Sequence, residues 1–577
     1  MPVVRPVDLF GDQIGPELFG ANILATVDKL GPDGTYDEAV DDLGITHVRY
    51  PGGSLTERYF DISNPTQTDA PDVTTGESLP FLPYDEFMMW AEANAHDVTI
   101  VLPTLTQLGD TTDANGDRFP EIDEQTLRGF IRDTLNGVYG APEIRAFEIG
   151  NEYYGSGAMT SVEYGRLAAE MAVITRDEID QHPFADLFAE TDVLIQMGDN
   201  FGTAALDDEY RGLGTPLEQL AMVEQDYGME FPPDTFLFSN GSISWARVNS
   251  ALVAREFDTV QEQEAVDGIV AHVYGRGLDE PNRWYSDYRI INNTMTDTFP
   301  EATKYVTEWN TRSLKYSGEE NEIYGLENAQ EKLHMMLGMV EYQVEAAHIW
   351  PVQQNTATEL AGDEGETDLT VAGEMFRMMS QSLPGTHSIV LDDSSPAQGD
   401  SDPQGPDHWL FAGQDHATLF VFADDAETGT TSLDLSQVFL DPGTVSITRL
   451  GVQPGDNPAS RNAEPDVENL DPDQVMSGAT AEINLGPREI LHLTFDNPTY
   501  SETVENLLSD ELPKEDTTPE PVLDPPLPML PVLDALPPAP SSPQPEASPL
   551  PEEENGGFDV GSLLGGLLFL PMLMAMG

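Results

Sequence analysis

The sequence predicts an α/β protein built as a (β/α)8 TIM barrel followed by an antiparallel β-sandwich. Three observations predict it. Between residues 1 and 384, short apolar runs alternate with helical patterns eight times, the signature of a parallel barrel. Two of those runs end in a glutamate, Ala146–Ile149 before Gly150-Asn151-Glu152 and Lys304–Thr307 before Glu308. From Gly385 the texture changes to short alternating runs separated by Gly, Asp and Pro, as in a β-sandwich.

Taken in order, Leu18–Ile23 is the first expected strand and Tyr36–Leu43 a short helix. Ile45–Tyr50 is the second strand, stopped by Pro51-Gly52-Gly53. A helix over Pro83–Ala95 places Phe87, Trp90 and Ala91 on one face. Val98–Thr104 is the third strand, and Asp123–Leu135 a helix with Leu127, Phe130 and Ile131 at helical spacing. The Asn151-Glu152 strand is the fourth. Ser161 caps the next helix, to Ile179, and Val193–Gly198 is the fifth strand. Asp199–Asn240 reads as a long inserted loop with its own helix, before a helix over Ser244–Phe257. Gly268–Gly275 is the sixth strand, Trp284–Met295 a helix and the Glu308 run the seventh strand. A long helix over Leu326–Val344, a strand over Ala347–Val352 and a helix over Val371–Leu383 complete the barrel.

Residues 385–497 form the expected sandwich, with runs at His387–Leu391, His408–Phe411, Ala417–Phe422, Val445–Ile447 and Ile490–Phe495. Residues 498–559 read as an acidic, proline-rich linker, too poor in apolar surface to fold. Residues 560–577 are abruptly apolar but short for a membrane span and interrupted by Gly and Pro. That tail is expected to serve in export or surface attachment, with a membrane anchor and an uninformative end as the alternatives. Met1–Gly20 has no apolar core after a basic start, so no Sec-type signal is expected there. The expected location is extracellular or at the cell surface.

Composition narrows the function. Acidic residues number 103 against 25 basic ones, a net charge of −78 over 577 residues. Such a charge repels polyanions, so nucleic acid and anionic membrane surfaces are not expected partners. The absence of cysteine excludes disulfides, thiolate metal sites and cysteine nucleophiles. No metal and no organic cofactor is implied.

Glu152 and Glu308 carry the chemical argument. A carboxylate at the C-terminal end of a barrel strand lies where such barrels meet their ligands. Retaining glycoside hydrolysis needs one carboxylic acid to protonate the leaving oxygen and one carboxylate to attack the anomeric carbon. The expected activity is therefore hydrolysis of O-glycosidic bonds in a poly- or oligosaccharide, with a non-catalytic carbohydrate-binding or surface protein as the alternative.

The motifs Arg49-Tyr50-Pro51-Gly52-Gly53, Gly150-Asn151-Glu152, His272-Val273-Tyr274 and Glu308-Trp309-Asn310 resemble those of the retaining glycoside hydrolases of clan A. Within that clan they are nearest to glycoside hydrolase family 51, the arabinofuranosidases, and similar in layout to families 39 and 79, xylosidases and glucuronidases. The resemblance covers about residues 15 to 496. It implies Glu152 as general acid/base, Glu308 as nucleophile and Asn151 as a partner for the sugar hydroxyl beside the anomeric carbon. It places Arg49 beneath Glu308, Tyr274 in a hydrogen bond to Glu308, His272 on the same wall and Trp350 as an aromatic face for a sugar ring. Arg49 could instead pair with a buried acid, His272 could be a core histidine and Trp350 could be rim packing. One departure stands out: Ser54 follows Pro51-Gly52-Gly53, where family 51 enzymes usually carry asparagine.

Overall fold

The computed structural model of the protein describes residues 3–32, 34–313, 323–354, 356–362, 367–391, 407–424 and 431–510. Eight strands close a parallel barrel: β1 (Gly20–Asn22), β2 (His47–Tyr50), β3 (Asp97–Leu102), β4 (Ile144–Ile149), β5 (Asp192–Gln196), β6 (Gly268–Gly275), β7 (Thr303–Thr311) and β8 (Val344–Ile349). Each pairs in parallel with the next, and β8 returns to β1. Because helices cover the outside and side chains fill the inside, the strands are buried on both faces. That burial explains runs such as Val98–Leu102 and Val193–Gln196, which have no polar face.

The helices follow local chemistry. Tyr36–Leu43 buries Tyr36, Ala39, Val40 and Leu43 and stops at Gly44, which takes a left-handed φ of 67°. Glu124–Leu135 is capped by Asp123, whose side chain accepts from the Thr126 amide.

Several expected boundaries move. The helix over Ser161–Asp180 is capped by Thr160, which forms a reciprocal capping box with Glu163; Ser161 is its first helical residue. The helix expected over Leu326–Val344 ends at Glu341, because Gln343 turns with a φ of 54°. Strand β8 therefore begins at Val344 and ends at Ile349, ahead of Trp350-Pro351. Trp284–Met295 divides into a 3-10 turn, Pro281–Trp284, and a helix, Ser286–Thr294. The Asp199–Asn240 insertion holds three α-helices, Leu206–Tyr210, Pro216–Tyr227 and Pro233–Phe236, which form a small separate core with Val162, Val248, Ala251 and Leu252 of two neighbouring helices.

The second sheet has seven antiparallel strands, and one of them comes from before the barrel. The chain's first strand, Pro6–Phe10, leaves the barrel region and pairs with His387–Leu391. The order continues through Asp407–Ala412, His416–Phe422, Ile490–Asp496 and Thr444–Val452 to Pro465–Leu470. Alternation assigns its two faces. Leu410, Leu419, Val421, Leu491 and Leu493 pack with Leu433, Ala481 and Ile483 of a three-stranded sheet, closing the sandwich. Trp409, Phe411, Phe420, Phe422 and Ile490 join the barrel's core. Folded structure continues past residue 497. Thr499–Tyr500 pairs with Phe439–Asp441, the Tyr500 hydroxyl donates to the carbonyls of Gly413 and His416, and the helix Glu502–Asp510 buries Val504. Of the linker expected over 498–559, the part from 511 onward lies outside the described residues, as does the tail from 560 to 577. Among the described residues, no helix is long and apolar enough to cross a membrane.

One irregularity positions the site. Between β6 and β7, Ala271 faces Val306 but His272 faces Glu308, so Thr307 is an extra residue on β7. A β-bulge of this kind bends its strand and re-aims side chains. Here it turns two consecutive side chains to the same interior. The Thr307 hydroxyl donates to Glu148 at 3.2 Å, and Glu308 accepts from Arg49 at 3.1 Å.

Candidate active site

The C-terminal end of the barrel interior is a polar network centred on Arg49. This side chain, on β2, is fully buried, and each of its five N–H donors has a partner. Nε and Nη2 bind the two oxygens of Glu148 at 2.7 and 2.9 Å. Nη1 reaches Asn22 at 2.9 Å and Glu308 at 3.1 Å, and Nη2 also reaches the Asn151 carbonyl oxygen Oδ1 at 2.8 Å. Both readings of Arg49 thus hold at once: it pairs with a buried acid and it lies against Glu308.

Glu148 is the acid the sequence reading missed. It sits on β4 with no exposure and accepts two bonds from Arg49, one from Gln196 at 3.1 Å and one from Thr307. A signal was present: a charged residue within the apolar run Ala146–Ile149 cannot be buried without a partner. Glu57 was also missed, and nothing in its local sequence marks it. Its carboxylate accepts from the backbone N–H groups of Thr104, Leu105 and Asn151 at 2.7–2.9 Å and from the Thr104 hydroxyl at 2.9 Å. Burial pushes its carboxyl pKa up, opposed by those four hydrogen bonds. Glu57 thereby ties the end of β3 to the turn that carries Glu152.

That turn begins past the end of β4. Gly150 takes a φ of 74°, and a Cβ there would meet Thr104 and crowd Glu57. Glu152 itself has a φ of 42°, a left-handed conformation that is unfavourable for a side chain of this type. Its carbonyl accepts from the Gly155 amide at 2.7 Å, which holds the turn. Only 14% of its side chain is exposed.

Glu152, His272 and Glu308 converge. His272 Nδ1 lies 3.4 Å from Glu152 Oε1 and 3.6 Å from Glu308 Oε2. One oxygen from each glutamate and one nitrogen from the histidine all lie within 4.8 Å of one another. The Tyr274 hydroxyl donates to Glu308 Oε2 at 2.8 Å, and the Tyr154 hydroxyl donates to Glu152 Oε1 at 3.3 Å. With Arg49 on Oε1 and Tyr274 on Oε2, both oxygens of Glu308 are held by donors, an arrangement that orients the carboxylate. Burial lowers the His272 pKa, but the charges of Glu308 and Glu152 and a bond to Glu152 outweigh it, and the net shift is upward. Burial and the same two glutamates drive the Tyr274 hydroxyl far above its ordinary range, so it stays a donor.

Asn151 uses Oδ1 for Arg49 and its backbone amide for Glu57, while its side-chain nitrogen bonds nothing among the described residues. Trp350 follows β8, half-buried, with an edge of its indole against Gly53; a Cβ on Gly53 would come within 2.8 Å of that ring. It makes no hydrogen bond to the two glutamates. Its carbonyl accepts from Asn310 at 2.6 Å, which fastens β7 to β8.

No protein-family model and no curated protein matches the sequence. Solved structures do match. The family 51 α-L-arabinofuranosidase of Bifidobacterium longum is 13% identical with a TM-score of 0.56, over 86% of this chain and 100% of that one. The α-L-arabinofuranosidase of Thermotoga maritima, solved with arabinose, is 14% identical with a TM-score of 0.55, over 86% and 99%. The family 51 arabinofuranosidase of Xanthomonas axonopodis pv. citri is 15% identical with a TM-score of 0.52 over the same shares. The chain therefore has the barrel-and-sandwich fold of the family 51 arabinofuranosidases across nearly their whole length.

Proposed function

We propose that the protein is a retaining glycoside hydrolase acting on a poly- or oligosaccharide, with Glu152 as general acid/base and Glu308 as nucleophile. The observation that carries this is the approach of two carboxylates, one from the turn after β4 and one from β7, with oxygens within 4.8 Å of each other. Retaining enzymes hold their two carboxyl groups about 5–5.5 Å apart, whereas inverting enzymes leave about 6.5–9.5 Å for a water.

In the first step, Glu308 attacks the anomeric carbon while Glu152 gives its proton to the glycosidic oxygen. The bond to the leaving sugar breaks and a glycosyl-enzyme ester forms. In the second, Glu152 takes a proton from water, the water oxygen attacks the anomeric carbon and Glu308 is released. Arg49 and Tyr274 fix the Glu308 oxygens, and the free amide nitrogen of Asn151 is available to a sugar hydroxyl. Trp350 offers an apolar face at the rim. The fold leaves the sugar open, since many substrates share it. Export through the apolar tail and action at or outside the cell surface belong to the same proposal, and a fusion lacking residues 560–577 that stays with the cells tests them.

The test is hydrolysis of a panel of neutral and acidic polysaccharides by wild type, Glu308→Gln and Glu152→Gln, with proton NMR of the fresh product. Release by wild type alone, with retained anomeric configuration, is expected. Inverted product, or undiminished release by Glu308→Gln, overturns the assignment.

A further inference from the structure

His272 has a hydrogen-bond environment that dictates where its proton sits. Its Nε2 lies 3.2 Å from the Thr307 hydroxyl, and that hydroxyl lies 3.2 Å from Glu148 Oε1. Glu148 Oε1 is ion-paired with Arg49 and also receives Gln196, so it can only accept. The single hydroxyl hydrogen of Thr307 is therefore spent on Glu148. The Thr307 oxygen must accept from His272, which fixes the hydrogen on Nε2. Only Nδ1 is left to gain or lose a proton, and Nδ1 is the atom placed between Glu152 and Glu308.

We propose that His272 is a third proton-handling group of the reaction, sharing with Glu152 the proton that goes to the leaving group. This rests on the glycosidase reading above. Before substrate binds, one proton lies in the Nδ1···Oε1 contact. When a glycosidic oxygen arrives, the proton is on Glu152 and passes to that oxygen as the glycosidic bond breaks, leaving a Glu152 carboxylate beside a neutral ring. When Glu152 later deprotonates the attacking water, that proton returns to the same contact. No proton is lost or gained over the cycle.

The surroundings are consistent with this role. From β7, Glu308 favours a proton on the ring; from β2, Arg49 opposes it. Asp199, past β5, and Asp287, on the helix Ser286–Thr294, each feel the charge of His272, and burial raises the Asp287 carboxyl to about 6. The Tyr154 hydroxyl meets Glu152 on the same oxygen, Oε1. The ring is thus the junction between the buried Arg49–Glu148 pair and the acid/base, with Thr307, the bulged residue, as the link.

The test compares wild type with His272→Asn, which keeps a donor near the Nδ1 position but cannot hold a proton, and with Thr307→Val, which removes the acceptor of Nε2–H. The readout is kcat/KM against pH on two substrates of the same sugar, one with a sugar leaving group and one with an activated aryl leaving group that needs no protonation. The expected result is a loss of roughly 10–100-fold on the sugar leaving group, with the basic limb moved to lower pH, and less than about threefold on the aryl glycoside. Thr307→Val should move the same limb in the same direction by less. Equal losses on both substrates, or a basic limb unmoved in both variants, overturns the proposal. Glu308→Gln run alongside separates the two readings: if it is inactive while the His272→Asn limb is unmoved, only the role of His272 falls.

Discussion

Replacing Glu148 with glutamine should unfold the protein more readily than replacing Glu308. Arg49 spends two of its five donors on Glu148 and one on Glu308. In Glu148→Gln, the amide oxygen is best placed at the Oε1 position, where Arg49, Gln196 and Thr307 all donate. The amide nitrogen then faces Arg49 Nε–H at a site that was 2.7 Å from an acceptor, a donor against a donor. Removing one partner of a buried pair costs about 3–5 kcal/mol. Since Glu308 remains as a second anion, the lower end, about 3 kcal/mol, applies. Glu308→Gln disturbs one bond from Arg49 and one from Tyr274, which can rotate, and should cost about 1 kcal/mol. Urea unfolding of the three proteins at neutral pH measures both numbers. Arg49 and Glu148 have no exposure, so the penalty for Glu148→Gln should survive molar salt, unlike that of a surface pair. A Glu148→Gln protein within 1 kcal/mol of wild type, or a penalty that vanishes in salt, would show that Arg49 is not anchored by Glu148 and refute the argument.

Glu57→Gln leaves the Asn151 amide facing another donor, at a stability cost of about 2 kcal/mol; displacement of the Glu152 turn should lower kcat with KM little changed, and parallel changes in both would contradict a positioning role. Glu152→Gly should be more stable than Glu152→Ala by about 1 kcal/mol, since glycine accepts the left-handed φ of 42° without strain; equal melting temperatures would count against strain at that residue. Burial pushes the Lys332 pKa down to about 7, with Glu331 opposing, against about 10.4 in an unfolded chain. A depressed folded value means the contribution is present above the unfolded value and fades as pH falls toward 7. The stability of wild type relative to Lys332→Met should accordingly drop by roughly 1.4 kcal/mol per pH unit across that window and level off below it; a flat difference from pH 7 to 10 contradicts this.

Much of this architecture was legible because it is local. Apolar runs such as Val98–Leu102, and helices such as Tyr36–Leu43, carry their own period and punctuation. Glu152 and Glu308 stood out because each carboxylate follows an apolar strand. The parts that escaped depend on distant partners. Glu148 lies within such a strand, and only the position of Arg49 across the barrel explains it. Glu57 answers backbone amides from two other loops. The bulge at Thr307 is a difference in register between two strands, which neither strand's sequence records. Pro6–Phe10 looked unremarkable because its partner lies at the far side of the barrel sequence.

That pairing has a consequence for how the protein is made. Pro6 meets Leu391 in the sheet, so the earlier strand must wait until a segment more than 370 residues later in the chain has been made. At a translation rate of about 5–20 residues per second the wait is roughly 20–80 s. Throughout it, the nascent strand has open backbone groups while the barrel assembles beside it. Its composition suits that wait: Pro6 withholds a backbone donor, and Asp8 places a charge in the middle of an otherwise apolar ribbon, two devices that discourage pairing with a neighbouring chain. The same delay makes completion of the sheet a report that the barrel has been fully synthesised, because the edge strand cannot dock until the residues following the eighth barrel helix exist.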